Sequence, residues 1–259
     1  MSDTILRELD QHGVQLITFN RPAKKNAFSD EQWDAAALAL REARTDPAVA
    51  VVVVTGAGKD FSAGVDLSSF GQAPPRDDGY PTAYHAFMGE LLEFDKPLIA
   101  AARGVGVGIG CTLLFHCDVV YLGESVRLRL PFVALGLVPE AASSYLLPAL
   151  IGHRRAAELL FTAEWIDAAR ALEVGIATRV FADDELLPAA LAKAREIAQF
   201  AVGSLQATKR TVLAARRQAM QAAIAAEDAG MMAQVGTPEN MEAIQAFMER
   251  RPPDFRKLR

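Results

Sequence analysis

Residues 104–113 read GVGVGIGCTL, with glycine at every second position from Gly104 to Gly110 before the segment becomes apolar. Glycine lets backbone N–H groups approach a ligand or another chain segment closely. The spacing does not fit the dinucleotide-binding pattern Gly-x-Gly-x-x-Gly, because Ile109 or Cys111 stands where the third glycine is needed. The alternative is a tight strand-to-helix turn packed against a neighbouring element, and this segment alone leaves both interpretations open.

The sequence before this segment alternates predicted strands with a predicted helix. Val14–Asn20 is rich in β-formers, and Val49–Thr55 is a continuous β-branched run typical of a strand buried on both faces. Between them, Ser29 followed by Gln32 forms a capping box, which predicts a helix that continues to about Ala43.

Two further strands are predicted on either side of the glycine-rich segment, over Pro97–Arg103 and Asp118–Gly123. Strands that alternate with helices predict βαβ units and a largely parallel sheet, so the expected fold class is α/β. The segment Gly71–Thr82 is rich in Pro, Gly and Asp and predicts an exposed loop. Beyond Gly152 the pattern is helical almost throughout, and predicted helices cover Glu185–Phe200, Ser204–Ala229 and Pro238–Arg250.

Composition restricts the classes of function. The net charge of −5 gives nothing that would attract nucleic acid or an anionic membrane surface. Two cysteines cannot form a disulfide framework, which predicts a reducing compartment. The first residues, MSDTILRELD, lack the features of a signal peptide, and no apolar run approaches 18 residues. We therefore expect a cytoplasmic protein without nucleic-acid or membrane partners.

No metal site is predicted. The cluster of potential ligands Cys111, His116, Cys117 and Asp118 matches no common zinc spacing. A serine hydrolase is disfavoured because Gly-x-Ser-x-Gly is absent and the four histidines have no evident triad context.

Three segments together resemble a known family: FSAGVDL at residues 61–67, the glycine-rich segment, and LGLVPEAASSY at residues 135–145. They resemble the crotonase superfamily, the enoyl-CoA hydratase/isomerase family, and the resemblance extends from NRPAKKNAFS at residue 20 to FMERRPPDF at residue 247. It implies a crotonase-like ββα superhelix spiral core over residues 1–200. It also implies a C-terminal helical region over residues 201–259 that serves oligomerisation and covers the active site, in a homotrimer or dimer of trimers.

The resemblance implies an acyl-CoA substrate and an oxyanion hole for its thioester carbonyl. In that family, two backbone N–H groups after glycine turns stabilise the enolate that forms when the α-carbon loses a proton. The matching donors here are the N–H groups of Val65 and Ile109. The neighbouring backbone is supplied by Ala63, Gly64, Gly108 and Gly110. No cofactor beyond the CoA moiety is implied.

The catalytic base departs from the best-known hydratases of the family. They use two glutamates, and the matching positions here hold Thr112 and Phe132. A carboxylate appears instead at Glu140, where family isomerases that move a double bond from position 3 to position 2 of an enoyl-CoA carry their single acid. Apolar neighbours, among them Phe132 and Leu135, are expected to raise the carboxyl pKa. Without the resemblance, a solvent-facing or helix-capping glutamate would be the preferred interpretation.

Other positions follow from the resemblance. Lys25 matches a basic position that contacts CoA phosphates in some members, and the backbone from Ala63 to Asp66 matches an adenine-binding loop. Asp66 is equally expected to fix this loop through its side chain. Phe247 and the basic C-terminal tail match a contribution to the CoA site of a neighbouring subunit.

Several activities stay open at this stage. An enoyl-CoA isomerase is the first interpretation, and a hydratase is possible if Glu140 activates water without a second carboxylate. A thioester hydrolase or dehalogenase has no identified acyl pocket in the sequence. A non-catalytic acyl-CoA-binding subunit is disfavoured by the presence of Glu140.

Overall fold

The computed structural model describes residues 3–66 and 77–258 and places the strands of this part of the chain in two sheets. In chain order these are β1 (Ile5–Leu9), β2 (Val14–Phe19), β3 (Val51–Gly56), β4 (Leu98–Ala102), β5 (Val105–Val107), β6 (Val119–Gly123), β7 (Arg127–Arg129), β8 (Trp165–Asp167) and β9 (Arg179–Phe181). The larger sheet has the order β1-β2-β3-β4-β6-β9, and the smaller has the order β5-β7-β8. In the larger sheet only the β1–β2 pair is antiparallel. The predicted α/β class with a largely parallel sheet is confirmed.

Helices cover both faces of the larger sheet. They are α1 (Asp30–Thr45), α2 (Ala83–Glu93), α3 (Ile109–Thr112), α4 (Ser143–Ile151), α5 (His153–Thr162), α6 (Ala168–Val174), α7 (Asp183–Ala198), α8 (Val202–Gln234) and α9 (Pro238–Met248). Short 3₁₀ helices span Pro22–Lys24, Leu113–His116, Val133–Leu135 and Phe255–Leu258. The long predicted C-terminal helices are confirmed, with α8 extending five residues beyond the predicted Ala229 to Gln234.

Strand β3 shows why a continuous apolar run is needed at the centre of the sheet. Val51 and Val53 pack in one core cluster with α7, whereas Val52 and Val54 pack in the other with α1 and α2. Side chains alternate between the two faces of a strand, so a strand covered on both faces must be apolar at every position. The prediction from Val49–Thr55 is confirmed.

Two predictions are corrected in detail. The region beyond Gly152, predicted to be helical almost throughout, also contains strands β8 and β9, which are only three residues each. The capping box forms only in part: Ser29 Oγ accepts the Gln32 N–H at 3.4 Å, but the Gln32 side chain donates to the Asn26 carbonyl instead of returning to the helix start.

The predicted loop over residues 71–82 lies partly outside the described residues. Its first six residues, 71–76, and Leu67 of the FSAGVDL segment are outside the described ranges. Residues 77–79, which are described, are exposed, as the prediction requires.

The glycine-rich segment forms a strand-to-helix turn between β5 and α3, as one of the two interpretations predicts. It packs directly on the backbone of the FSAGVDL segment: the Val107 N–H donates to the Ser62 carbonyl at 3.0 Å. A Cβ built on Gly110 would overlap that same carbonyl. The glycines are therefore required by close packing of two backbone segments.

Candidate active site

Two glycine turns meet at the centre of the site. Gly64 and Gly108 have φ values of +93° and +55°, which side chains of L-residues rarely adopt. A Cβ built on Gly64 would lie 2.7 Å from the Val107 carbonyl oxygen and 3.9 Å from the Gly108 Cα. The turn before Val65 therefore lies against the turn before Ile109.

Each turn presents one unused backbone donor. Residue 65 pairs with Phe28 in a parallel bridge, in which the Phe28 N–H donates to the Gly64 carbonyl at 2.7 Å and the Asp66 N–H donates to the Phe28 carbonyl at 2.9 Å. This pairing leaves the intervening Val65 N–H directed away from Phe28. Ile109 is the first residue of α3, where the helix supplies no acceptor. Within residues 3–66 and 77–258, neither N–H donates a hydrogen bond.

The Glu140 carboxylate lies beside the second glycine turn. Its Oε1 is 3.6 Å from the position that a Cβ on Gly108 would occupy. Glu140 is partly buried, and burial, reinforced by the negative charge of Glu227, raises the pKa of its carboxyl to about 7. A carboxyl that titrates near neutrality can both accept and return a proton at the same pH.

Glu140 does not cap helix α4. The N-cap residue of α4 is Ala142, which has no capping side chain, and the free N–H groups at this end donate to Glu227 of α8. Ala142 N–H donates to Glu227 Oε2 at 2.7 Å, and Ser144 N–H donates to Glu227 Oε1 at 2.8 Å. The capping function belongs to a residue 85 positions further along the chain. The alternative interpretation of Glu140 as a helix cap is therefore wrong.

The positions that hold glutamates in the two-carboxylate hydratases are apolar or neutral here. Thr112 and Phe132 are both buried. The Thr112 hydroxyl has no hydrogen-bond partner among the described residues. Glu227 is the other carboxylate that acts on Glu140 electrostatically, but its two oxygens accept N–H groups of the α4 turn. The arrangement can therefore supply two N–H donors and one proton-transfer group.

The comparison with known proteins agrees with this geometry. The family model described as enoyl-CoA hydratase/isomerase matches residues 10–258. The chain belongs to the enoyl-CoA hydratase/isomerase family. It is thus an enzyme of a family that acts on acyl-CoA thioesters, and the predicted crotonase-like fold is confirmed.

Relatives within the enoyl-CoA hydratase/isomerase family carry different activities in their names. The chain is 34% identical over 259 residues to a 2,3-dehydroadipyl-CoA hydratase of Escherichia coli (strain K12), with 99% of each chain covered. It is 33% identical over 245 residues to enoyl-CoA delta isomerase 2 of Rattus norvegicus, covering 93% of this chain and 62% of that protein. A crystal structure of an enoyl-CoA hydratase/isomerase from Pseudoalteromonas atlantica T6c matches with a TM-score of 0.92 and 36% identity, covering 98% of this chain and all of the other.

The family resemblance also implies binding roles for Lys25 and Asp66, and both lie near the first glycine turn, Lys25 through a backbone contact and Asp66 in sequence. Lys25 is exposed, and its carbonyl accepts the Ala63 N–H at 2.9 Å. Asp66 is buried and accepts a hydrogen bond from Arg21 Nη2 at 2.8 Å, which is the loop-fixing contact expected of it. Binding of CoA by Lys25, or by the backbone from Ala63 to Asp66, stays a prediction.

The remaining substrate-binding predictions of this enoyl-CoA hydratase/isomerase concern apolar residues. Phe132 belongs to the main core cluster, and Leu135 is partly buried with its carbonyl accepting Asn240 Nδ2 at 2.8 Å. Phe247 is 63% exposed on α9. Contacts of these side chains with substrate stay predictions.

Members of the cluster of Cys111, His116, Cys117 and Asp118 are buried or hydrogen-bonded within the fold. Burial raises the pKa of the Cys111 thiol to about 12, so it is protonated at neutral pH. His116 Nε2 hydrogen-bonds the Ala141 carbonyl at 2.7 Å, and Asp118 Oδ2 accepts both the Leu98 N–H and Lys209 Nζ. In the described part of the chain, no group of three His, Cys, Asp or Glu side chains is arranged to hold a metal ion. The described helices also include none that is long and apolar enough to cross a membrane.

Sequence reasoning did not find Glu227 or Tyr84, which both hold the Glu140 segment. The Tyr84 hydroxyl accepts the Ala141 N–H at 2.9 Å, across 57 residues of chain. Neither residue lies in a motif, and a carboxylate in a long helix normally indicates a solvated face. No local signal points to a distant cap either, because the sequence at the start of α4 reads EAASS and contains serines that could cap the helix themselves.

Proposed function

We propose that this enzyme moves the double bond of a 3-enoyl-CoA to position 2. In this reaction the thioester oxygen accepts the N–H groups of Val65 and Ile109, and Glu140 is the only base. The observation that carries the proposal is the position of the Glu140 carboxylate beside Gly108, which precedes Ile109 and lies against the Gly64 turn that precedes Val65.

The reaction requires one proton-transfer group that works twice. Glu140 takes a proton from C2, and the electrons of the broken C–H bond enter a dienolate whose oxygen is held by the two N–H groups. The resulting carboxylic acid then returns the proton at C4, which leaves the double bond between C2 and C3. Donors fixed in advance by the fold stabilise the transition state because they need no reorganisation, and removal of one such donor costs about 3–4 kcal/mol in other enzymes.

The pKa of Glu140 suits this double role. A general acid–base group is most effective when its pKa lies near the working pH. Burial raises the pKa of the Glu140 carboxyl to about 7. The neutral Thr112 and the apolar Phe132 add no second carboxylate at the positions used by the hydratases.

A hydratase is the second candidate, and the 34% identity with a protein named 2,3-dehydroadipyl-CoA hydratase favours it. Water addition to a 2-enoyl-CoA would require Glu140 alone to orient and deprotonate the water. A non-catalytic acyl-CoA-binding subunit is the third, and it would bind the thioester without turning it over.

The assembly, compartment and C-terminal role belong to the same proposal. We propose a homotrimer or dimer of trimers in the cytoplasm, with no cofactor beyond the CoA moiety of the substrate and with residues 201–259 contributing to assembly and to cover of the site. Large exposed apolar side chains in this C-terminal part support self-association; they include Val212, Met232, Phe247 and Met248. Light scattering coupled to gel filtration measures the assembly directly.

The primary assay compares two substrates. Trans-3-hexenoyl-CoA and crotonyl-CoA are each incubated with the protein, the conjugated thioester is followed by absorbance, and the products are weighed by mass spectrometry. The isomerase proposal expects a conjugated product of unchanged mass from the first substrate and little water addition to the second. Water addition to crotonyl-CoA without isomerisation would support the hydratase instead.

The substitution Glu140→Gln tests the base. Loss of general acid–base catalysis is expected to lower kcat by about 10²–10⁴-fold. Binding of the acyl-CoA, measured by calorimetry, is expected to persist because the N–H donors are unchanged. Loss of binding and folding together would make Glu140 structural.

The matched control is Glu90→Gln. Glu90 is also buried, but it lies on α2 and pairs with Arg41 at 2.8 Å and Arg44 at 3.6 Å. Its neutralisation removes a buried charge outside the site, so kcat is expected to stay within a few-fold of the parent protein.

A further inference from the structure

The Glu140 segment adopts a backbone conformation that its own sequence does not favour. Ala141 and Ala142 have φ values of +60° and +56°, so two consecutive non-glycine residues are left-handed. Each such residue costs roughly 1–2 kcal/mol relative to the right-handed form. Contacts from elsewhere in the molecule must therefore hold the turn that follows Glu140.

Glu227 supplies two of these contacts. It is 6% exposed, and both of its carboxylate oxygens accept backbone N–H groups from this turn, those of Ala142 and Ser144. A carboxylate that accepts backbone N–H groups at a helix start makes charge-assisted hydrogen bonds, which are about twice as strong as neutral ones. The same end of the helix also favours negative charge through its dipole.

Helix α8 touches the segment on the other side of Glu140 as well. A Cβ built on Gly230, three residues after Glu227, would lie 3.0 Å from Val138 Cγ2. Helix α8 thus contacts the chain on both sides of Glu140, at residues 138 and 142.

We infer that Glu227 is a positioning residue: by accepting the Ala142 and Ser144 N–H groups, it holds the left-handed turn that directs the Glu140 carboxylate to the two glycine turns. This inference rests on the proposed function, because it assigns a role relative to Glu140 as the base. The proposed reaction gives Glu227 no contact with the substrate.

The charge of Glu227 has a second consequence. A like charge nearby disfavours ionisation, and the charge of Glu227 contributes, after burial, to the raised pKa of Glu140. Burial also raises the pKa of Glu227 itself, against its hydrogen bonds with residues 142 and 144. Position and proton affinity of the base thus depend on the same carboxylate.

Other charged or titratable groups face this pair from α2, from the 3₁₀ helix Leu113–His116 and, through Asp228, from α8 itself. From α2 come Tyr84, whose pKa is raised well above 10 by burial, and His85, whose Nε2 lies 3.4 Å from Asp228 of α8. The last residue of the 3₁₀ helix Leu113–His116 also faces the pair, and burial lowers the pKa of this histidine to about 4. Tyr84 and His116 are neutral from pH 6 to 9, so they do not distort a pH profile in that range.

Three substitutions at residue 227 separate the effect of Glu227 on the position of Glu140 from the effect of its charge on the pKa of Glu140. Glu227→Gln removes the charge and leaves one acceptor oxygen, Glu227→Ala removes both acceptors, and Glu227→Asp keeps the charge on a shorter side chain. For the first two, the acidic midpoint of kcat/KM is expected to fall by roughly 0.5–1 pH unit, because Glu140 ionises more easily. For the third, the midpoint is expected to stay in place.

The kcat on the high-pH plateau reports whether the Glu140 carboxylate is correctly positioned. We expect it to fall about 10-fold in Glu227→Gln and about 100-fold in Glu227→Ala, since small misplacements of a catalytic group have effects of this size. Glu227→Asp is expected to lower it as well, and KM is expected to change little in all three. Asp228→Asn is the matched control, because this neighbouring carboxylate contacts His85 instead of the α4 turn.

Any of three results would overturn the inference. One is an unchanged midpoint and plateau kcat in Glu227→Gln, and another is an equal change in Asp228→Asn. A crystal structure of Glu227→Ala gives a readout that is independent of activity: an unchanged left-handed turn at residues 141–142 would also overturn it. Failure of the proposed function is distinct, because the parent protein would then leave trans-3-hexenoyl-CoA unchanged whatever the variants at residue 227 do.

Discussion

The two halves of the site are built by different means. The N–H groups of Val65 and Ile109 are fixed by glycine turns whose partners lie in neighbouring strands and loops of the first 130 residues. The Glu140 segment is fixed by Tyr84 from α2 and by Glu227 from α8, over separations of 57 and 85 residues. The proposed oxyanion hole is thus positioned by close backbone packing, whereas the proposed base is positioned by side chains that reach its segment from distant helices.

This difference predicts different sensitivities. A glycine turn packed against another backbone has no room to adjust, so a single methyl group is expected to disrupt it. A segment held by several side-chain hydrogen bonds is expected to lose them one at a time, with smaller and separable effects.

The largest effect is expected for Gly64→Ala. The new Cβ would lie 2.7 Å from the Val107 carbonyl oxygen in a backbone with φ +93°, so both a clash and an unfavourable conformation arise. We expect a loss of about 3 kcal/mol or more in the free energy of unfolding, measured by urea denaturation. Isomerase turnover is expected to fall at least about 100-fold because the donor geometry is lost.

Gly152→Ala is the control for the backbone conformation alone. Gly152 has φ +83° but nothing within 4 Å of an added Cβ, so a loss of only about 1–2 kcal/mol and normal turnover are expected. Equal losses in both variants would contradict the role given to close packing at Gly64.

An intermediate effect, of opposite sign, is expected for Glu140→Gln. The folded-state pKa of about 7 lies above the ordinary glutamate pKa of 4.5, so ionisation of this carboxyl destabilises the folded protein as the pH rises through 7. The glutamine variant is therefore expected to be more stable by about 1–3 kcal/mol at pH 8. At pH 4, where the carboxyl is neutral in both states, the two proteins are expected to have similar free energies of unfolding.

Glu242→Gln gives the opposite control. Hydrogen bonding to Arg251 lowers the pKa of Glu242 to about 2, so its charged form stabilises the fold above the unfolded pKa. This substitution is expected to lower Tm at pH 8. A Tm at pH 8 that does not rise in Glu140→Gln would show that burial of Glu140 has no cost at that pH.

The smallest effect is expected for Tyr84→Phe. The Ala141 N–H loses its acceptor, which costs about 1–2 kcal/mol for a backbone group with little access to water. Tyr121→Phe is the matched control, because the buried Tyr121 packs on Phe181 and its hydroxyl makes no hydrogen bond with the described residues. The free energy of unfolding of each variant is measured by urea denaturation. Equal losses in the two variants would show that the Tyr84 hydroxyl does not help to hold the Glu140 segment.

Local sequence patterns mark the segments of the proposed donors more directly than the groups that hold the Glu140 segment. Alternating glycines and the AG-x-DL segment are local patterns, and the apolar run of β3 has the period of a buried strand, so both could be recognised. Strands β8 and β9 were missed because three residues carry too little periodicity against a helical background. Glu227 could not be recognised because its role depends on how α8 crosses the α4 turn, which no local pattern encodes.

The cap that α8 provides has a consequence during synthesis of the chain. A protein emerges from the ribosome from its N-terminus and folds in that order. The turns at Gly64 and Gly108 and the residue Glu140 all emerge well before Glu227. A nascent or truncated chain that ends before residue 227 therefore holds the proposed donors and base but lacks the carboxylate that holds the turn after Glu140, so we expect activity only once residue 227 has been added and α8 has docked.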